Sequence, residues 1–253
     1  MRRRAAVACF AACALLAAPA AAAPQAAGGP AADDWFARPL PLVVALAIVS
    51  ILPFAFMTLT AFVKISTVLQ IVRGAIGAQG VPSSTVVMAL AGALTLLAMA
   101  PVGTRIAARA MPLFEGAGAR DTSALVSGLV DATRDPMRRF LSANASPREK
   151  ERFYDTARAA RPEDERGEVG RDDFTVLVPA FVVTSLAQAF GLGFALYLPL
   201  LVVDLVVANV LLALGMQMLS PTQVSLPFKL LLFVAVDGWG LLAQSLVTGW
   251  RTG

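Results

Sequence analysis

The sequence predicts an all-α membrane protein, and its composition and charge distribution support this class. Of 253 residues, 57% are hydrophobic and only 15% are charged, whereas soluble domains carry about 25% charged residues. Residues 103–173 hold 26 of the 38 charged residues, so long apolar stretches lie on both sides of one polar segment. A soluble helix needs charge along its outer face, and these stretches are therefore typical of membrane helices or helices buried in a complex.

The charge balance excludes a nucleic-acid-binding domain. The net charge is only +4, and residues 103–173 contain equal numbers of basic and acidic side chains. A nucleic-acid-binding domain concentrates lysine and arginine on one face. We therefore expect no nucleic acid among the partners.

The N-terminus has the organisation of an export signal. Arginines at 2–4 precede an apolar stretch over 5–18, and alanines up to Ala22 offer a small-residue cleavage site. We predict a signal peptide over 1–22, with a short uncleaved anchor as the alternative. Cleavage would place the mature N-terminus and the polar segment in the periplasm.

The residue types that perform most covalent chemistry are missing from the predicted mature chain. Both cysteines, Cys9 and Cys13, lie in the signal segment, and the sequence contains no histidine. This removes thiol nucleophiles, imidazole bases and the usual zinc ligands. We expect no catalytic residue, no metal site and no cofactor, and hence no enzyme.

The first half of the chain predicts a leader, a helical hairpin and an insert. Residues 23–39 are rich in Ala, Pro and Gly and indicate a flexible leader. Residues 40–102 predict the first apolar hairpin, with a long helix kinked at Pro53, a turn over 73–82 and a second helix over 86–102.

The charged insert over 103–173 is expected to be helical and to pack against itself or against neighbouring subunits. Apolar spacing predicts an amphipathic helix over 121–141. A second helix is predicted over 147–160, because Ser146 is a suitable N-cap and Glu149 follows three residues later.

The C-terminal segment, 174–253, is apolar almost throughout. It predicts helices over 174–190 and 194–219, joined or bent near Gly191 and Gly193, and a last helix over 226–250. No internal repeat is visible.

Four charged residues interrupt the apolar helices, namely Lys64, Asp204, Lys229 and Asp237. A charge at the centre of a bilayer costs about 2.5 to 3.5 kcal/mol on insertion scales. We therefore predict that these residues pair with one another, or that their helices pack inside a protein assembly.

Several segments together carry a family resemblance. They are Phe62-Val63-Lys64, Met99-Ala100-Pro101-Val102, Phe190-Gly191-Leu192-Gly193-Phe194, Asp204-Leu205-Val206, Leu214-Gly215-Met216-Gln217-Met218, Ser225-Leu226-Pro227-Phe228-Lys229 and Asp237-Gly238-Trp239. These segments resemble the SctR/FliP family, the export-gate membrane subunits of type III secretion systems. The resemblance covers about residues 40–250.

The resemblance implies a protein-conducting function. Such subunits assemble in several copies with SctS-like and SctT-like partners into a ring-shaped, hetero-oligomeric gate in which the helical hairpins are buried. The gate receives unfolded secreted proteins from the export-ring subunit and passes them toward needle or rod components. The four interrupting charges would then be buried charges that support assembly.

The resemblance also implies a gate segment at Gly215, Met216, Gln217 and Met218. The family commonly has three consecutive methionines there, which are thought to form a flexible seal, and Gln217 departs from that pattern. Ser220-Pro221, Ser225-Leu226-Pro227 and Phe153-Tyr154-Asp155 favour the injectisome branch, whereas a signal peptide is more usual in the flagellar branch.

Two further classes remain as alternatives. An intramembrane aspartyl protease needs two membrane-embedded aspartates, which Asp204 and Asp237 could supply, although Gly191-Leu192-Gly193 is followed by Phe194 rather than by aspartate. A secondary transporter would use broken helices and charges within the membrane, but it usually also shows repeated halves.

Overall fold

A computed structural model of the chain describes residues 39–78, 80–115 and 122–251. The predicted signal peptide and the leader up to residue 38 lie outside this part. The described helices are α1 (Pro39–Leu59), α2 (Phe62–Ile76), α3 (Ser84–Glu115), α4 (Thr122–Asn144), α5 (Pro147–Ala159), α6 (Phe174–Ala213), α7 (Pro221–Ala235) and α8 (Gly238–Thr248). The chain divides into two compact units, one ending at Ser50 and one beginning at Ile51. In the first unit, residues 39–50 are helical.

The helices have the length and composition of membrane spans. In the described part of the chain, two helices are long and apolar enough to cross a bilayer, namely α6, with a mean hydropathy of 2.3, and residues Ser84–Phe114 of α3, with 2.1. Two further spans are possible if each bent helix pair counts as one, and these pairs meet at 81° and 57°. The prediction of an all-α membrane protein is confirmed.

The helices of the first hairpin differ from the predicted bounds. The 81° bend follows Leu59 rather than Pro53, which lies within α1. Thr60 accounts for this break, because its hydroxyl donates to the Phe56 carbonyl at 2.6 Å and accepts from the Phe62 N–H at 3.4 Å. A threonine hydroxyl that bonds to the backbone in this way competes with the regular helical pattern.

The second helix of this hairpin runs further than predicted. α3 continues to Glu115, into the predicted insert. Val102 and Ile106 lie one turn apart and pack in the same apolar cluster, so tertiary packing carries the helix past Gly103.

The C-terminal helices are also divided differently from the prediction. α6 is one continuous helix through Gly191 and Gly193, and it ends at Ala213 rather than at residue 219. The predicted last helix is instead two helices, α7 and α8, bent by 57°. The break lies at Asp237, which has a left-handed conformation with φ 50°.

The predicted insert packs on α6 within the same chain. The ring of Phe140 in α4 lies 5.6 Å from that of Phe181 in α6 and 5.7 Å from that of Trp250 near the C-terminus. The N–H of Ser146, just before α5, donates to the Thr184 hydroxyl at 3.0 Å. The helical part of the insert is therefore joined to the apolar helices by aromatic packing and hydrogen bonding.

The Ser146 cap of α5 forms as predicted. The Ser146 hydroxyl accepts from the Glu149 N–H at 3.2 Å, and Pro147 occupies the first turn. A side chain at this position satisfies one of the free N–H groups at the start of a helix.

The close approach of α2 and α6 gives a test with a built-in control. A Cβ added at Gly193 would lie 2.6 Å from Ile71 Cδ1, whereas one added at Gly191 would meet nothing within 4 Å. We expect Gly191→Ala to leave stability unchanged or raise it by up to about 1 kcal/mol through helix propensity. Gly193→Ala should lower stability by about 1 kcal/mol or more through overpacking. Thermal unfolding of the two purified variants in detergent measures the difference, and equal stabilities would contradict this packing.

Candidate functional site

Asp204 and Lys229 form an ion pair between α6 and α7. Lys229 Nζ donates to Asp204 Oδ2 at 2.6 Å, and the Ser225 hydroxyl donates to the other carboxylate oxygen. The Lys229 side chain is 7% exposed and that of Asp204 is 23% exposed. Charges in apolar helices are tolerated when they are paired and hydrogen-bonded. Two of the four interrupting charges thus contact each other, while their role in assembly stays a prediction.

The same lysine also binds the end of α2. Lys229 Nζ donates to the Ala75 carbonyl at 3.2 Å, and α2 ends one residue later at Ile76. The last carbonyl groups of a helix have no partner within it and lie at the negative end of its dipole. The ammonium group therefore stabilises this helix end and connects α2, α6 and α7 at one point.

Lys64 is a second buried cation, held without a carboxylate. Its Nζ donates to Gln188 Oε1 at 2.9 Å and lies 5.0 Å from the centre of the Trp250 ring. No carboxylate of the described residues forms an ion pair with it. An aromatic face attracts a cation through its quadrupole, so Trp250 and Gln188 together replace the missing counter-ion.

Asp237 differs from the other three charges because it is exposed in the single chain. It lies at the bend between α7 and α8, with φ 50° and ψ 50°. Aspartate tolerates this left-handed region better than most residues with a Cβ. Burial of Asp237 would require a neighbouring subunit, and this burial stays a prediction.

The predicted gate segment lies in the loop between α6 and α7, and its first residue ends α6. Gly215 has φ 74°. Its N–H donates to the Leu212 carbonyl at 3.0 Å, and the Met216 N–H donates to the Leu211 carbonyl at 2.9 Å. These two bonds form a Schellman motif, which places a glycine in the left-handed conformation just after the helix.

The side chains of this loop point away from the chain's own core. Met218 is fully exposed, and Met216 and Gln217 are also exposed. Flexible thioether side chains can pack against irregular surfaces. The loop is thus free to contact other chains, and its function as a seal stays a prediction.

Ser220 and Pro221 belong to the start of α7. Pro221 is the first residue of α7, and Ser220 is its N-cap. Proline suits the first turn of a helix because its missing N–H would have no partner there.

Two apolar grooves flank the second half of α6. One, of about 510 Å³, lies between α6 and α7 and is lined by Val202, Val203, Val206, Val207, Val210, Leu211, Val224 and Phe228. The other, of similar volume, lies between α6 and the α7–α8 pair. In the part of the chain that the structure describes, no cluster of acidic side chains could hold a metal ion.

Comparison with known proteins identifies the family. The model of the FliP family matches residues 45–246, which is most of the chain. The chain belongs to the FliP family. Pathogenicity-related ORF2 of Xanthomonas campestris pv. glycines is 43% identical over 210 residues, covering 83% of this chain and 96% of the relative.

Two further relatives carry names that refer to secretion or virulence. The hypersensitivity response secretion protein HrcR of Ralstonia nicotianae is 41% identical, with 83% of this chain and 96% of the relative covered. The virulence protein YscR of Salmonella typhimurium is 38% identical over 215 residues, with 83% and 95% covered. The resemblance seen in the sequence is therefore confirmed, and this FliP-family chain is a membrane protein.

The structure adds three contacts of this FliP-family chain that the sequence reasoning missed. The Ser225 hydroxyl donates to the Asp204 carboxylate. Ser225 lies four residues before Lys229, and this spacing could have indicated that Ser225 and Lys229 share one helix face. Gln188 and Trp250 contact Lys64 from positions more than 120 residues away. No local pattern indicates such distant contacts.

Proposed function

We propose that this chain is a membrane subunit of a type III secretion export apparatus of the injectisome branch. In this role it forms part of the gate through which unfolded proteins are exported. The family match over residues 45–246 carries the proposal. The names of the relatives, which refer to the hypersensitivity response and to virulence, favour the injectisome over the flagellar branch.

The uncovered apolar surface supports a place in a larger assembly. Phe190 and Phe194 in α6, Leu231 and Val234 in α7, and Leu241 in α8 are all exposed in the single chain. Many exposed large apolar side chains of this kind mark contact with lipid or with other proteins. We propose that further copies of this chain and SctS-like and SctT-like subunits cover it. The export-ring subunit and needle or rod components would be further partners.

We further propose that the protein lies in the bacterial inner membrane, with 103–173 in the periplasm. The predicted signal peptide over 1–22 supports this orientation, because its removal would leave the new N-terminus on the exported side. The hairpin over 40–102 and the helices over 174–253 would then lie in the membrane-embedded complex. Because α4 and α5 pack on the first turns of α6, the insert would stay close to the membrane surface.

The geometry of Asp204 does not favour an aspartyl protease. Its two carboxylate oxygens bind Lys229 and Ser225 rather than a second aspartate. Paired catalytic carboxylates must instead face each other and share a proton. The sequence shows no repeated half that would support a secondary transporter.

An in-frame deletion in the native bacterium tests the proposed function. We expect it to abolish type III secretion into the medium and to leave general Sec-dependent export unchanged, with secretion restored by the wild-type chain on a plasmid. Loss of motility with normal effector secretion would assign the chain to the flagellar branch instead. Normal secretion and motility would contradict both.

The predicted signal peptide determines how many thiols the mature protein would contain. Because Cys9 and Cys13 are the only cysteines, cleavage after residue 22 leaves no thiol. We expect the protein purified from membranes to take up no maleimide, even after denaturation. A variant with Ser142→Cys serves as the positive control. Labelling of the wild-type chain would show that the signal is retained.

A further inference from the structure

Asp237 is an exposed carboxylate in the middle of an apolar helix pair. It separates α7 (Pro221–Ala235) from α8 (Gly238–Thr248), and its apolar neighbours Val234 and Leu241 are 73% and 57% exposed. A carboxylate in such surroundings faces either lipid or another protein, and charged groups within membrane segments are found facing protein or water rather than lipid. The position therefore indicates contact with a neighbouring subunit.

Among the residues that the structure describes, this carboxylate has no counter-ion. None of the described lysines and arginines forms an ion pair with Asp237. The cations of the neighbouring apolar helices are occupied elsewhere: Lys229 binds Asp204, Lys64 contacts Gln188 and Trp250, and Arg73 Nε donates to the Pro82 carbonyl at 2.7 Å.

The local fold holds the carboxylate at the bend. Asp237 has a left-handed backbone conformation, and Gly240 leaves space for its carboxylate. The Phe233 ring packs against Gly238, and the Asp237 carboxylate lies against Gly240, so that a Cβ at either glycine would clash. The Asp237 side chain nevertheless makes no capping hydrogen bond to α8. No described residue donates a hydrogen bond to its carboxylate oxygens, so these can accept from another partner.

We propose that Asp237 forms an ion pair with a lysine or arginine on an apolar helix of a neighbouring subunit in the complex. This inference rests on the proposed function, because it requires a multi-subunit assembly. Charge complementarity selects the partner, since an acidic group surrounded by exposed apolar side chains is stable at an interface only when a cation meets it. The exposed apolar residues around it would be buried at the same time and would exclude water from the pair.

The substitution Asp237→Asn separates this role from a purely local one. Asparagine is as good an N-cap as aspartate and also tolerates the left-handed region, so a local role would survive the change. We expect Asp237→Asn to reduce recovery of the assembled complex from native membranes at least tenfold, while the amount of the chain itself stays the same. Recovery equal to wild type would overturn the ion pair and leave only the local role at the start of α8. Failure of the wild-type chain to enter any complex would instead contradict the proposed function.

A charge exchange identifies the partner residue. Asp237→Lys should abolish assembly, and changing one basic residue to aspartate on the apolar helices of a neighbouring subunit should restore it. The matched control is Gln244→Lys, which places the same charge on an exposed position of α8 and should not be rescued by that second change. If no single exchange among those basic residues restores assembly of Asp237→Lys, the proposal is wrong.

Discussion

Replacing Asp204 by leucine is expected to lower the stability of the folded chain by about 3 to 5 kcal/mol, because it leaves the buried Lys229 ammonium without its carboxylate. Ser225 would lose its acceptor at the same time. We expect little complex in the membrane and strongly reduced secretion. The yield of the complex in detergent and the amount of secreted protein measure this loss. Normal assembly and export with leucine at 204 would show that the charge is incidental.

Two further variants show whether the pair itself is responsible. Asp204→Asn keeps an acceptor for Ser225 and Lys229, so its effect should be milder. The double variant Asp204→Leu/Lys229→Met removes both charges, and replacement of a buried ion pair by apolar side chains is often neutral. We expect it to recover much of the loss, limited by the Ala75 carbonyl, which would then lack its partner. A double variant as defective as the sum of the single ones would exclude coupling between the two charges.

Deleting residues 215–219 is expected to make cells that carry the assembled complex permeable to small solutes. A channel wide enough for an unfolded chain must close to ions between substrates, and the exposed Met216 and Met218 have the flexibility for such a seal. Uptake of a normally excluded dye measures the leak. Unchanged permeability in an assembled deletion mutant would exclude this loop as the gate.

The structure shows how to separate the seal from the helix end beside it. The deletion also removes Gly215, whose left-handed conformation ends α6. A variant that keeps Gly215 and replaces residues 216–219 by glycine and serine retains the chain length and the cap. It should leak as the deletion does if the side chains form the seal. Gln217→Met should tighten the seal without stopping export, because it removes the amide between two thioethers.

The sequence predicts the fold class, the family and the local cap of α5 correctly, and each has a physical reason. Long uncharged stretches can form helices in a membrane, because every backbone group is then bonded within the segment. The Ser146 cap depends on residues three positions apart, which is within the range of local pattern analysis. Pairing among the four interrupting charges is one of two outcomes that the sequence predicts, because a lone charge in an apolar helix is costly. The sequence does not indicate that Asp204 and Lys229 are the two that meet.

The helix bounds and the contacts of Lys64 could not be predicted in this way. Gly191 and Gly193 suggest a break when considered locally, yet Gly193 allows the close approach of Ile71 to α6, which is visible only in three dimensions. The sequence predicts one helix through Asp237. In the structure the chain bends sharply there, and the Phe233 ring packs on Gly238 at the bend. Trp250 contacts Lys64 from a position far along the chain, so no local pattern indicates this contact.

Affinity purification of the tagged chain from native membranes, in mild detergent, tests the central claim most directly. The full-length chain of 253 residues has a mass of 26.4 kDa. We expect a complex of several times that mass, in which mass spectrometry identifies several copies of this chain together with SctS-like and SctT-like subunits. A monomer or dimer free of other secretion subunits, recovered under conditions that preserve a known membrane complex, would contradict the account.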